Sequence, residues 1–178
     1  MHSEWHCISL FRNRKMFMKL ELTNQIINNP RYVQLTGALD DIEKDRIFCR
    51  HDMEHFLNVA RIAVILCNER RIEADADVIY SAALLHDIGR IAEYTSGTPH
   101  DEAGISIAED ILAQTECSEA KKAEILRLIA SHRKADAHRS ELETVFYLAD
   151  KKSRSCFCCA AREECNWPEY KRNYEIGV

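Results

Sequence analysis

Adjacent His86 and Asp87 close the apolar run Ala82-Ala83-Leu84-Leu85. That run reads as a helix delivering both side chains into the interior, where an unpartnered imidazole or carboxylate costs roughly several kcal/mol. A bound metal ion compensates both at once. The pair alone does not decide the matter, because a short polar dipeptide can equally be a hydrogen-bonded core pair. Other polar residues on apolar stripes shift the balance. His55, Val59, Ile62 and Leu66 recur at i, i+4, i+7 and i+11, placing His55 on the buried face of a helix. His132 extends the stripe of Ile125, Leu128 and Ile129, and Asp150 lies at the edge of a face made by Leu142, Val145, Phe146 and Ala149. His100 falls in the first turn of another predicted helix. His51 sits one turn before His55, whereas His2, His6 and His138 lie in polar contexts and are assigned to the surface. Taken singly, His55 could be a satisfied core histidine and His100 a solvated loop residue.

Taken together, the set His55, His86, Asp87, His100, His132 and Asp150 is a ligand set. Neutral imidazole and carboxylate suit zinc, iron, manganese or cobalt. Six side chains exceed the three protein ligands usual for one catalytic zinc. They suit two divalent metals about 3.5–4 Å apart, a spacing that clamps attacking and leaving oxygens and lowers the pKa of a shared water to about 7. Successive helical residues diverge by roughly 100°, so His86 and Asp87 do not simply converge on one ion. Asp87 as a bridge, one oxygen to each metal, resolves that geometry.

The order of these residues resembles the HD superfamily of metal-dependent phosphohydrolases, whose pattern is an early histidine, a His-Asp pair and a later aspartate. His55, His86, Asp87 and Asp150 match it in order. The stretch PHDEAGISIA (99–108), His132 in IASHR and Asp150 in LADKKSR are similar to the two-metal branch that hydrolyses diadenosine tetraphosphate symmetrically. That resemblance covers roughly residues 50–155. It implies His100 and His132 as ligands of the second metal, and a nucleotide or related phosphoester or phosphoanhydride as substrate.

The elements that must position these groups read as helices throughout. Residues 19–29 form a short helix ended by Pro30, which opens a second through about Asp45. A helix follows over 51–66, then one over 75–89 with Gly89 as a left-handed cap. Thr98 is the expected N-cap of the next, with Pro99 at its first position and Asp101 completing a capping box. Helices over 119–132 and from Ser140 through Arg154 complete an all-α, single HD-domain bundle with the metals between helices. The expected organisation is a leader at 1–18, the HD domain at 19–155, and a cysteine-rich tail at 156–178 packed on it.

With 178 residues, 46% apolar and 30% charged, the chain has ordinary globular composition and length for one domain. Its formal charge of −5 and lack of a large basic patch argue against a nucleic-acid partner. No apolar run approaches the about 18 residues of a membrane span, and no secretory core precedes the domain. The eight cysteines are therefore expected as reduced thiols in a cytoplasmic protein. Cys156, Cys158, Cys159 and Cys165 give a CxxC followed by a third cysteine, short of a fourth metal ligand because Cys7 is distant. Otherwise they are buried thiols around Phe157 and Trp167.

The expected partner is a small phosphate compound and, at most, a second copy of the chain as a homodimer. Arg133, Lys151 and Arg154 are the candidate phosphate contacts, the alternative being a solvated basic helix end. Two rival readings use the same ligands: a di-iron oxygenase, and a non-catalytic nucleotide-sensing module.

Overall fold

Side chains that accept from free N–H groups start most of the helices. The computed structural model describes residues 18–133 and 139–177; residues 1–17 of the expected leader, with His2, His6 and Cys7, and His138 lie outside the described residues. After a short α1 (Glu21–Ile27), Asn29 accepts from the backbone of Arg31 and Tyr32 and Pro30 takes the first position of α2 (Pro30–Glu43). Asp52 caps α3 (Met53–Arg70) and Asp75 caps α4 (Ala76–Leu85). Then come α5 (Arg90–Ser96) and α6 (His100–Leu112). Ser118 caps α7 (Glu119–Ser131), and Ser140 with Glu143 forms a reciprocal capping box on α8 (Glu141–Lys152). No strand occurs among the described residues, so the architecture is all-α as expected.

The helix carrying the His-Asp pair lies at the centre. Val78, Ile79, Ser81, Ala82, Ala83, Leu84 and Leu85 of α4 are all buried, and a helix apolar all round belongs inside a bundle. It packs against α1, α3 and α7, while α3 also packs against α8. Phe56, Val59 and Ala63 of α3, Ile111 and Leu112 of α6, Ile125 and Ile129 of α7, and Val145, Phe146 and Ala149 of α8 complete one core. The α1 helix has no side-chain cap of its own. Asp77 on α4 supplies one, accepting from the N–H of Leu22 at 2.9 Å and of Thr23 at 2.8 Å. No helix of the described residues is long and apolar enough to cross a membrane.

Two expected helix ends differ from what the fold contains. The α4 helix stops at Leu85, and Gly89 has φ −67 and ψ −12, a right-handed conformation open to any residue. Gly89 is required by packing instead: a Cβ there would lie 2.1 Å from the carbonyl oxygen of His100. Thr98 does not cap α6, which starts at His100 without a side-chain cap. Its hydroxyl meets Ser96 Oγ at 3.0 Å, and Asp101, which was to complete the box, accepts from Arg133 at 2.6 Å. Both side chains find partners outside the helix start, and these displace the local bonds read from the sequence.

Candidate metal centre

Each of the four candidate histidines has its Nδ1 engaged. His86 Nδ1 donates to the carbonyl of Ala83 at 2.8 Å, and His132 Nδ1 to that of Ile129 at 2.5 Å. Both bonds reach back one turn to a carbonyl freed at a helix end. His100 Nδ1 donates to Glu93 Oε2 at 2.9 Å. Ser153 gives its own hydroxyl proton to the carbonyl of Asp150 at 2.7 Å, so its oxygen accepts from His55 Nδ1 at 3.1 Å. Donation from Nδ1 fixes the tautomer and leaves Nε2 with a bare lone pair.

All four Nε2 atoms converge on Asp87. Its Oδ2 lies 3.0 Å from His86 Nε2 and 3.5 Å from His55 Nε2. Its Oδ1 lies 3.6 Å from His100 Nε2 and 3.7 Å from His132 Nε2. Asp150 Oδ1 stands 3.8 Å from His55 Nε2. Two donor groupings, each within 4.8 Å, result: His55, His86, Asp87 and Asp150, and Asp87, His100 and His132. Asp87 belongs to both, one oxygen facing each.

Without a cation this arrangement is unfavourable. His55 and His86 bring their Nε2 atoms to 3.3 Å, and His132 Nε2 is buried with no hydrogen-bond partner at all. Buried acceptors are rarely left so. The donor chemistry and the Nδ1 partners both fit divalent metal ions, for which an outer hydrogen bond on each histidine is the common arrangement. Burial, slightly relieved by Asp87, holds His132 down to about 4, and burial also lowers His55 and His100. For His86 burial acts the same way, but the Asp87 carboxylate outweighs it and the net shift is upward. Burial would raise Asp150, yet Lys151 and His86 hold it at about 2.

A pH prediction follows for metal-free protein. A histidine ordinarily near 6.5 that titrates at about 4 when folded binds its proton more readily unfolded, so stability rises with pH across that window. The contribution is complete above about 6.5 and lost as pH falls towards 4, at roughly 3 kcal/mol for His132. His55 and His100 add to the loss, whereas His86, shifted upward, contributes stability that is in place below about 6.5 and is lost only as pH rises above it. Urea unfolding of chelator-treated protein between these pH values is expected to show the decline, and flat stability would contradict it.

Residues 52–155 match the family model described as the HD domain, more than half of the chain. The chain belongs to the HD-domain family. This HD domain is similar to an uncharacterised protein of Clostridium beijerinckii, 37% identical over 153 residues that cover 86% of this chain and 96% of that one. It is also 30% identical over 81 residues to Ribonuclease Y 1 of Pediococcus pentosaceus, a stretch that is 46% of this chain and 15% of the ribonuclease. Among solved structures, the predicted HD superfamily hydrolase from an uncultured Thermotogales bacterium aligns at a TM-score of 0.57 and 24% identity over 87% of both chains, which is the same fold.

The centre of the HD domain opens into a cavity of about 330 Å³ that also takes in Arg133, Lys151 and Arg154. Lys151 Nζ is bonded to Asp150, and Arg133 to Asp101. Arg154 stacks its guanidinium over the Trp167 ring at 3.9 Å and leaves Nη1 buried without a partner. Residues that the sequence reading passed over complete the site. Arg90 Nε donates to Asp87 Oδ1 at 3.1 Å and Arg90 Nη1 to Glu93 at 3.1 Å. The spacing Asp87, Arg90, Glu93 is one helical face at i, i+3, a signal that was available. Glu43 carried no such signal. Its carboxylate accepts from His51 Nδ1 at 2.6 Å and from the Tyr94 hydroxyl at 2.6 Å, joining separate elements. His51 lies just before α3, with Nε2 3.9 Å from Asp87 Oδ2.

Proposed function

We propose that this chain is a two-metal phosphohydrolase acting on a nucleotide or related phosphoester or phosphoanhydride, of the class that includes diadenosine tetraphosphate. The observation that carries this reading is Asp87, whose two oxygens face two separate histidine groupings in one cationic cavity. His55, His86, Asp87 and Asp150 would hold one ion, and Asp87, His100 and His132 the other. When bound, such ions supply an acidified water and neutralise charge on phosphoryl oxygens.

The remaining work falls to the chain's own residues. Arg154, Lys151 and Arg133 draw the phosphate into the cavity and orient it, the planar guanidinium of Arg154 offering two parallel donors. Its stack on Trp167 fixes that plane before substrate arrives. His51, held by Glu43 through Nδ1, presents the lone pair of Nε2 to the cavity, placed to orient a water or a substrate hydroxyl there.

Metal analysis of purified protein, followed by a hydrolysis screen over mono- and dinucleotides with manganese, cobalt, iron and zinc, tests the reading. A short RNA serves as counter-substrate. Release of phosphate or nucleotide under argon is expected; turnover that needs dioxygen identifies the oxygenase, and binding without turnover under every metal identifies the sensing module. His100→Ala and His132→Ala are each expected to lower metal content from two ions per chain towards one, read by elemental analysis. Two ions retained in both variants would remove the second site from this location.

Arg154→Lys keeps the charge and loses the paired donors. Hydrogen bonds to charged groups are worth about 1.5–3 kcal/mol, so kcat/KM is expected to fall roughly ten- to a hundredfold. Metal content should stay unchanged. Full activity of the variant would assign Arg154 to packing against Trp167 alone.

A further inference from the structure

The stretch after α8 holds its shape with almost no core of its own. Over residues 156–177 its regular structure is two single 3-10 turns, Cys156–Cys158 and Glu169–Lys171, and Ala161 is its one buried apolar residue. Segments that bury so little are ordinarily held by disulfides or metals. The described cysteines, all seven of them, are free thiols.

Folding supplies the ligand that the tail lacks in sequence. Cys49, from the loop between α2 and α3, lines a cavity of about 190 Å³ together with Cys156, Cys159 and Cys165. The CxxC pair, the third cysteine six residues on and a remote fourth make a four-thiolate set of the kind that holds iron–sulfur clusters. We propose that Cys49, Cys156, Cys159 and Cys165 bind a polynuclear iron–sulfur cluster beside the HD centre.

One observation favours a cluster over a single ion, and two more suit a thiolate-bound metal of either kind. Zinc–sulfur bonds of about 2.3 Å put tetrahedral thiolates only ~3.8 Å apart. Among the described residues, the groupings that bring three or more donors within 4.8 Å are the two around Asp87, and neither holds a cysteine. Sulfurs that share a cavity at wider separation leave room for iron and sulfide between them. Second, Arg46, Arg162 and Arg172 line the same cavity, suited to the net negative charge of a thiolate-bound cluster. Third, arginines fix the segments that carry the ligands: Arg46 Nε donates to the carbonyl of Cys49 at 2.8 Å, and Arg172 Nη2 to that of Cys165 at 2.7 Å.

Cys158 provides an internal control. It lines the neighbouring cleft rather than this cavity, and its thiol points to the carbonyl of Ser155 at 3.5 Å. The cluster would also shape the HD site, because Arg46, Cys49 and Trp167 line both cavities. Cys49 stands two residues before His51, so a cluster ligated there would pin that wall of the site.

The test uses the full chain from iron-replete cells, purified without oxygen and, in parallel, reconstituted with ferrous iron and sulfide. Acid-labile sulfide is the deciding readout, since the His/Asp centre could take iron but binds no sulfide. Sulfide and the visible sulfur-to-iron charge-transfer band are expected in the wild type and in Cys158→Ala, and loss to background in Cys49→Ala and Cys159→Ala with helical circular dichroism retained. Should those variants fail to fold, thiol alkylation of the wild type decides: Cys158 should react freely and the four ligands only after the cluster is stripped. No labile sulfide before or after reconstitution would overturn the proposal. So would zinc bound in its place, or equal alkylation of Cys158 and the four.

Discussion

Asp87→Asn is expected to abolish turnover, by a factor of roughly 10³ or more if the metals contribute several kcal/mol to the transition state. The side chain has one charge and two oxygens, and both oxygens are in use. Oδ1 receives Arg90 at 3.1 Å, and the amide oxygen of asparagine would keep that bond. The NH2 group must then replace Oδ2, where it faces the Nε2 atoms of His86 and His55 at 3.0 and 3.5 Å. A donor there satisfies those lone pairs directly and leaves no ligand for a metal. Metal-free stability should therefore hardly change, because two bare acceptors gain a partner while a buried carboxylate is removed. Metal content, kcat/KM and the unfolding midpoint in chelator separate these effects. Unchanged metal content and activity would sink the assignment of the site.

What the sequence disclosed about this site was the part each helix carries by itself. His55 on the Val59-Ile62-Leu66 stripe, His132 beyond Ile129 and Asp150 beside Ala149 could be read because periodicity reports which residues share one buried face. The all-α architecture was legible for the same reason, and the helix start at Ser140 is a local contact. Periodicity does not say which faces meet. Glu43 reaches His51 and Tyr94 only once α2 lies against α5, and Cys49 meets the tail cysteines only in the folded chain. Thr98 failed for a related reason. A capping box competes with any stronger partner, and Asp101 has one in Arg133, which no local pattern announces. Gly89 was read correctly as a glycine that matters, but for its backbone angles rather than for what stands against it.

Gly89→Ala is expected to damage stability and metal binding together. At φ −67 alanine suffers no backbone strain, so the cost is entirely one of space. A Cβ would meet the carbonyl oxygen of His100 at 2.1 Å, Gly104 N at 2.5 Å and Gly104 Cα at 2.8 Å, all main-chain atoms with no rotamer to yield. The N-terminus of α6 must move off the turn that carries His86 and Asp87. His100, the first residue of that helix, moves with it, away from Asp87 Oδ1. Overpacking typically costs about 1–3 kcal/mol, and rigid opposing backbone puts this case at the upper end. For a chain of this size about 3 kcal/mol lowers Tm by roughly 6–12 °C. Gly104→Ala is the control, since its Cβ would meet nothing nearer than 3.7 Å. Thermal unfolding in chelator should separate the two variants clearly, and elemental analysis should find Gly89→Ala short of metal. An unchanged Tm in Gly89→Ala would show that α6 does not press on the His-Asp turn, and that His100 is positioned by its bond to Glu93 alone.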